Sequence, residues 1–107
     1  MGAKIIALFN LKPGVSAADY EHWAKTVDIP TVRKLKSIDD FDVYRSVGLL
    51  GSDAKPPYQY IEVIDVDDMD QFGQDVASET MQRVAGQFQA MADVVFILTE
   101  RVKPEKH

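Results

Sequence analysis

The chain has 107 residues, 46% of them hydrophobic, which suits one domain that builds its own core without staples. It has no cysteine, which excludes disulfides, thiolate metal ligands and thiol nucleophiles. Lys and Arg total 12 against 17 Asp and Glu, a net charge of −5 that is the wrong sign for a phosphate backbone. No apolar run reaches the ~20 residues of a membrane span, so neither nucleic acid nor a membrane is expected as a partner.

The N-terminus lacks a signal-peptide plan, and Gly2 lacks the Ser or Thr of a myristoylation signal, so a cytoplasmic protein is expected. Lys4 to Leu11 is the first predicted strand. Ile5, Ile6, Ala7, Leu8 and Phe9 are apolar on both parities, as in a strand buried on two faces. Lys12-Pro13-Gly14 breaks it. Ser16 then predicts a helix N-cap with Asp19 in the first turn, and Tyr20, Trp23, Ala24 and Val27 share one apolar face. Pro30 disfavours helical geometry at Ile29 and should bend or stop the helix, with Thr31 to Leu35 as a further short turn.

Ile38 to Leu49 and Tyr58 to Val66 read as the second and third strands. A loop marked by Gly48, Gly51, Pro56 and Pro57 joins them as an antiparallel hairpin. Asp67-Asp68 and Ser78 offer caps for two helical stretches, one through Met69, Phe72 and Val76, the other through Met81, Val84, Ala85, Phe88 and Met91. Val94 to Leu98 is the fourth strand, and 103–107 is a charged tail expected to fray. The order β-α-β-β-α-β predicts an α+β, ferredoxin-like fold with a four-stranded antiparallel sheet. It forms a single domain over 1–107 with its core at about 4–102. Both helical layers of that plan cover one face, leaving a bare apolar face of about 350 Å², so a sheet-to-sheet homodimer is expected.

Candidate chemistry rests on polar residues in apolar places. Arg45 and Glu62 interrupt the apolar parities of the paired strands. A register in which residue numbers sum to about 107 would set Arg45 opposite Glu62, Val43 opposite Ile64 and Phe41 opposite Val66. Such a pair is either a structural salt bridge or a device that orients a substrate atom. Tyr20 and Trp23 either pack in the core or stack on a flat ligand. Asp28 sits at a helix end, where the dipole disfavours an acid. It is either a solvated or locally bonded carboxylate or a general base at a cavity mouth. Tyr44 and Tyr60 are strand tyrosines able to donate a hydrogen bond, and Asn10 is either a turn residue or an oxyanion donor. His22, on the far side of its helix from Tyr20 and Trp23, is expected to be exposed. One folded histidine without cysteine gives no metal pattern. No G-x-G-x-x-G, P-loop or G-x-S-x-G is present, so no nucleotide cofactor or serine hydrolysis is expected.

Several local patterns together resemble the dimeric α+β barrel superfamily, and within it the EthD-like and, more closely, the REDY-like proteins of prodigiosin-type pathways. They are Leu11-Lys12-Pro13-Gly14, Tyr20-x-x-Trp23, Val27-Asp28-Ile29-Pro30, Leu35-Lys36-Ser37-Ile38, Phe41-x-Val43-Tyr44-Arg45, Tyr60-x-Glu62-Val63 and Ser78-Glu79-Thr80-Met81. The similarity spans residue 4 to about 102, and Asp28 stands where the EthD pattern often carries His. The resemblance implies a homodimer acting on a small aromatic or polyketide-like metabolite by cyclisation or a related proton transfer, with no cofactor and no metal. Asp28 would be the base, Arg45 and Glu62 would position polar atoms, and Tyr20, Trp23, Tyr44, Tyr60 and Asn10 would bind substrate. A non-catalytic metabolite-binding or accessory protein is the alternative.

Overall fold

The computed structural model describes residues 2–105; residues 106 and 107 of the expected tail lie outside them. Strands β1 (Ala3–Leu11), β2 (Ile38–Arg45), β3 (Tyr60–Val66) and β4 (Ala92–Thr99) form one antiparallel sheet in the order β2-β3-β1-β4. Helix α1 (Ala17–Trp23) runs through a π-helical segment, Ala24–Asp28, into α2 (Ile29–Arg33). Helices α3 (Met69–Val76) and α4 (Glu79–Met91) complete the layer on the same side of the sheet. This is the expected ferredoxin-like α+β architecture.

The helices begin where the sequence places their caps. Ser16 Oγ accepts from the Asp19 N–H at 3.0 Å, Asp68 Oδ1 from the Asp70 N–H at 2.9 Å, and Ser78 Oγ from the Met81 N–H at 3.2 Å.

Pro30 does not stop the first helix. It sits in the opening turn of α2, and one residue is inserted before it: the Ile29 N–H bonds to the carbonyl of Ala24, five residues back. This widened turn has a large effect on the buried face. Tyr20, Ala24, Asp28 and Val32, each four residues from the last, are all buried. A regular α-helix would drift about 120° over those twelve residues, and one extra residue absorbs about 100° of it. The π turn therefore keeps the four in line and points Asp28 inward, correcting the expectation of a solvated or locally bonded acid off the apolar face.

The hairpin register also differs from expectation. Arg45 lies opposite Tyr60, Val43 opposite Glu62 and Phe41 opposite Ile64. The offset from the expected register is two residues, so from Asp40 to Arg45 each side chain keeps its face but changes its partner, while a bulge between Ile38 and Asp40 brings Ile38 onto the buried face with Phe41. The reason lies outside the hairpin loop. Asn10 holds the start of β3, its Oδ1 accepting from the Gln59 N–H at 2.9 Å and its Nδ2 donating to the Pro57 carbonyl at 3.0 Å. The Gln59 N–H also reaches the Phe9 carbonyl at 3.1 Å. Pairing with β1, not charge matching with β2, fixes where β3 starts.

Two clusters fill the space between helices and sheet. At one end Phe9, Tyr20, Tyr60 and Phe88 pack as a closed aromatic group, with Phe9 edge-on to Tyr20 at 5.4 Å and to Phe88 at 4.9 Å, and stacked on Tyr60 at 5.3 Å. At the other end Ile5, Val32, Ile38, Phe41, Ile64, Val66 and Met81 form an aliphatic core. On the opposite face of the sheet Ile6, Leu8, Ile61 and Val63 are half-buried, and Val95 and Ile97 are exposed.

Candidate functional site

Between the two clusters the packing leaves a cavity of about 160 Å³. Its floor is Glu62 and Ile64 of β3, and its walls come from Val32, Phe72, Met81, Val84 and Phe88 of the helices. Ala7 explains why there is room. It lies across the ladders from Glu62 on one side and from Phe96 on the other, and contributes only a methyl group. Ala85 and Phe96, both exposed, also line the cavity, so it opens between α4 and the edge strand β4.

Two carboxyl groups enter this apolar space, Glu62 from the sheet and Asp28 from the π turn. Their residues are 3% and 6% exposed. Among the described residues neither takes part in a salt bridge or receives a hydrogen bond at its side chain. Burial alone pushes Asp28 up to about 7. Burial, reinforced by the nearby negative charge of Asp28, pushes Glu62 up to about 8. The Tyr20 hydroxyl is fully buried and unpartnered. Burial first, then the fields of Glu62 and Asp28, hold it protonated far above the usual phenol range, and Tyr20 sits in the aromatic cluster outside the cavity lining. At neutral pH the two acids together hold at least one proton, so the pair can both give and accept hydrogen bonds.

Arg45 is elsewhere. Its guanidinium forms a two-pronged bond with Glu21 on α1, Nε to Oε2 at 2.7 Å and Nη2 to Oε1 at 2.6 Å, with the Arg45 side chain more than half exposed. The Tyr60 hydroxyl donates to the same Glu21 Oε2 at 2.7 Å. These bonds, first from Arg45 and then from Tyr60, lower Glu21 to about 2, while burial and the bond to Glu21 raise Tyr60 to about 12. The expected Arg45–Glu62 pair is therefore absent, and Glu21, which sequence reasoning missed, takes the cation. No spacing within the chain signals this contact, because it joins a helix to a strand 24 residues away.

The remaining candidates separate. Trp23 stacks on Phe88, its indole Nε1–H bonded to Gln87 Oε1 at 2.9 Å, on the far side of Phe88 from the cavity. Tyr60 is core, Asn10 pins the loop before β3, and Tyr44 lies exposed on the opposite face of the sheet. His22 is exposed. Among the described residues no three of His, Cys, Asp and Glu converge on a point that could hold a metal ion, and no helix is long and apolar enough to cross a membrane.

Residues 3–102 match the family model of the REDY-like protein HapK. The crystal structure of HapK from Hahella chejuensis is 30% identical, with 100% of this chain and 98% of that chain covered at a TM-score of 0.77. An EthD family protein from Bacillus halodurans is 23% identical, covering 95% of this chain and 100% of its own at a TM-score of 0.70. SnoaB, a cofactor-independent oxygenase from Streptomyces nogalater, is 13% identical, covering 96% and 95% at a TM-score of 0.76, a likeness of fold. No curated protein matches the chain. The profile match and the full-length identity to HapK agree with the motifs read from the sequence: the chain belongs to the REDY-like HapK family.

Proposed function

We propose that the chain is a small-molecule enzyme that moves a proton on an aromatic substrate without a cofactor, using Asp28 as base with Glu62 as donor. One observation carries this reading: two buried carboxyl groups without a cation face a single apolar cavity. A general base works best when its pKa lies near the working pH, and burial brings Asp28 there. Asp28 takes a proton from the carbon next to a substrate carbonyl. Glu62, still protonated, donates to the carbonyl oxygen as it becomes an enolate. Returning the proton to another atom gives tautomerisation; attack by the enolate carbon on a second carbonyl carbon of the same molecule, whose C=O π bond breaks and whose oxygen takes the proton from Asp28, gives cyclisation. The fold shared with a cofactor-independent oxygenase is compatible with such chemistry. The working unit is a homodimer, supported by the bare apolar face around Ile6, Leu8, Val95 and Ile97.

Hydrogen–deuterium exchange of the acetophenone methyl group, followed by proton NMR at pH 7–8, tests the chemistry. The protein should accelerate exchange and Asp28→Asn should abolish the effect; exchange at the buffer rate with the unaltered protein would overturn it.

A further inference from the structure

Size and charge together narrow what the cavity can hold. An apolar cavity of about 150 Å³ accommodates one benzene molecule, and this one is about 160 Å³. A single ring with a small substituent fills it, whereas a fused multi-ring skeleton would have to project through the mouth between α4 and β4. The walls are aliphatic and aromatic, and among the described residues no lysine or arginine lines them. An anionic ligand would bring a third negative charge beside Asp28 and Glu62 with nothing to offset its lost hydration. What the site offers is an acceptor and a donor: one carboxylate and one carboxylic acid, both on residues more than nine-tenths buried.

From this we infer that the cavity selects a single uncharged ring carrying adjacent hydrogen-bond donor and acceptor groups, such as a carboxamide or lactam, and rejects the isosteric carboxylate. The inference rests on Asp28 and Glu62 being the site proposed above, but it concerns recognition and stands apart from turnover. It also replaces the broader polyketide-like expectation with a one-ring class. An amide places its N–H on the carboxylate and its carbonyl on the acid, so both buried carboxyl groups gain a partner.

Benzamide, benzoate and benzamidinium share one shape and differ in charge, so calorimetric titration of the full chain with each at pH 7.5 is decisive. Benzamide should bind most tightly, with benzoate about a hundredfold weaker or undetectable. Asp28→Asn combined with Glu62→Gln should shrink that gap to within about tenfold. Ala85→Phe, at the cavity mouth and on an exposed helix position, should abolish benzamide binding. Equal binding of benzoate, tightest binding of benzamidinium, no binding of benzamide, or benzamide binding that survives Ala85→Phe would each overturn the inference. Benzamide binding without acetophenone exchange would remove the proposed chemistry and leave the ligand class standing. Exchange without benzamide binding would do the reverse.

Discussion

Glu62 and Asp28 reach one cavity from opposite layers of the fold, one from the centre of the sheet and one from a widened helical turn, with no cation between them. Keeping two carboxylates in such a place is costly, so each holds its proton to higher pH than in water. That makes the pair a burden on stability at alkaline pH, the opposite of a salt-bridged acid.

The sign follows from proton binding. Both groups have raised values in the folded state, so between about pH 4 and 8 the folded chain holds protons that the unfolded chain has released. Stability should fall as pH rises through that window, by about 1.4 kcal/mol per pH unit for each group while it titrates, and level off above it. Around the pair stand Tyr20 on α1 and, further out, Tyr60 and Glu21. Tyr20 and Tyr60 are raised beyond this range, and Glu21 at about 2 lies below it. Combining Asp28→Asn with Glu62→Gln should flatten the profile and leave the variant more stable than the parent at pH 9. Urea unfolding from pH 5 to 9 measures both slopes, and equal slopes would count against the pair.

Arg45 should be coupled to Glu21 and not to Glu62. Arg45→Met should lower the melting temperature slightly, and combining it with Glu21→Gln should cost little more, because both changes break one contact. Combining it with Glu62→Gln should give strictly additive shifts in thermal unfolding.

These two arrangements mark how far the sequence is legible. Strand and helix order, all three caps and the faces of β3 and of β2 from Asp40 onward follow from periodicity and capping chemistry, because those signals are local. The register between β2 and β3 does not, since no local pattern signals the bulge between Ile38 and Asp40 or the bond by which Asn10 holds Gln59 just before β3. The inward turn of Asp28 does not either. An α-helical wheel assumes 3.6 residues per turn, and only the buried spacing Tyr20, Ala24, Asp28, Val32 betrays the inserted residue. Glu62 was visible as a charge on an apolar parity, but its lack of a cation was not.

Because the π turn is an insertion, it should be removable. Deleting Lys25, an exposed residue inside it, should convert the segment to regular α-helix while Tyr20 and Asp28 keep facing the sheet. The melting temperature should drop by no more than about 5 °C. Deletion of Gly86 inside α4 has no such escape and should unfold the chain. Circular dichroism melts compare the two.

The bare face of the sheet should carry the dimer contact. Light scattering at micromolar concentration should give twice the chain mass. Ile97→Glu, which places a charge at the centre of the exposed apolar patch, should give the monomer. A monomeric parent protein would remove this part of the proposal.

The most direct measurement is a carbon-13 NMR titration of the Asp28 and Glu62 carboxyl groups, assigned by the Asn and Gln variants. Values near 7 and 8, with the Glu62 midpoint falling when Asp28 is replaced by Asn, are the expected result. Midpoints near 4 for both groups would mean that neither is held protonated in the cavity, and would contradict their use as base and acid at neutral pH.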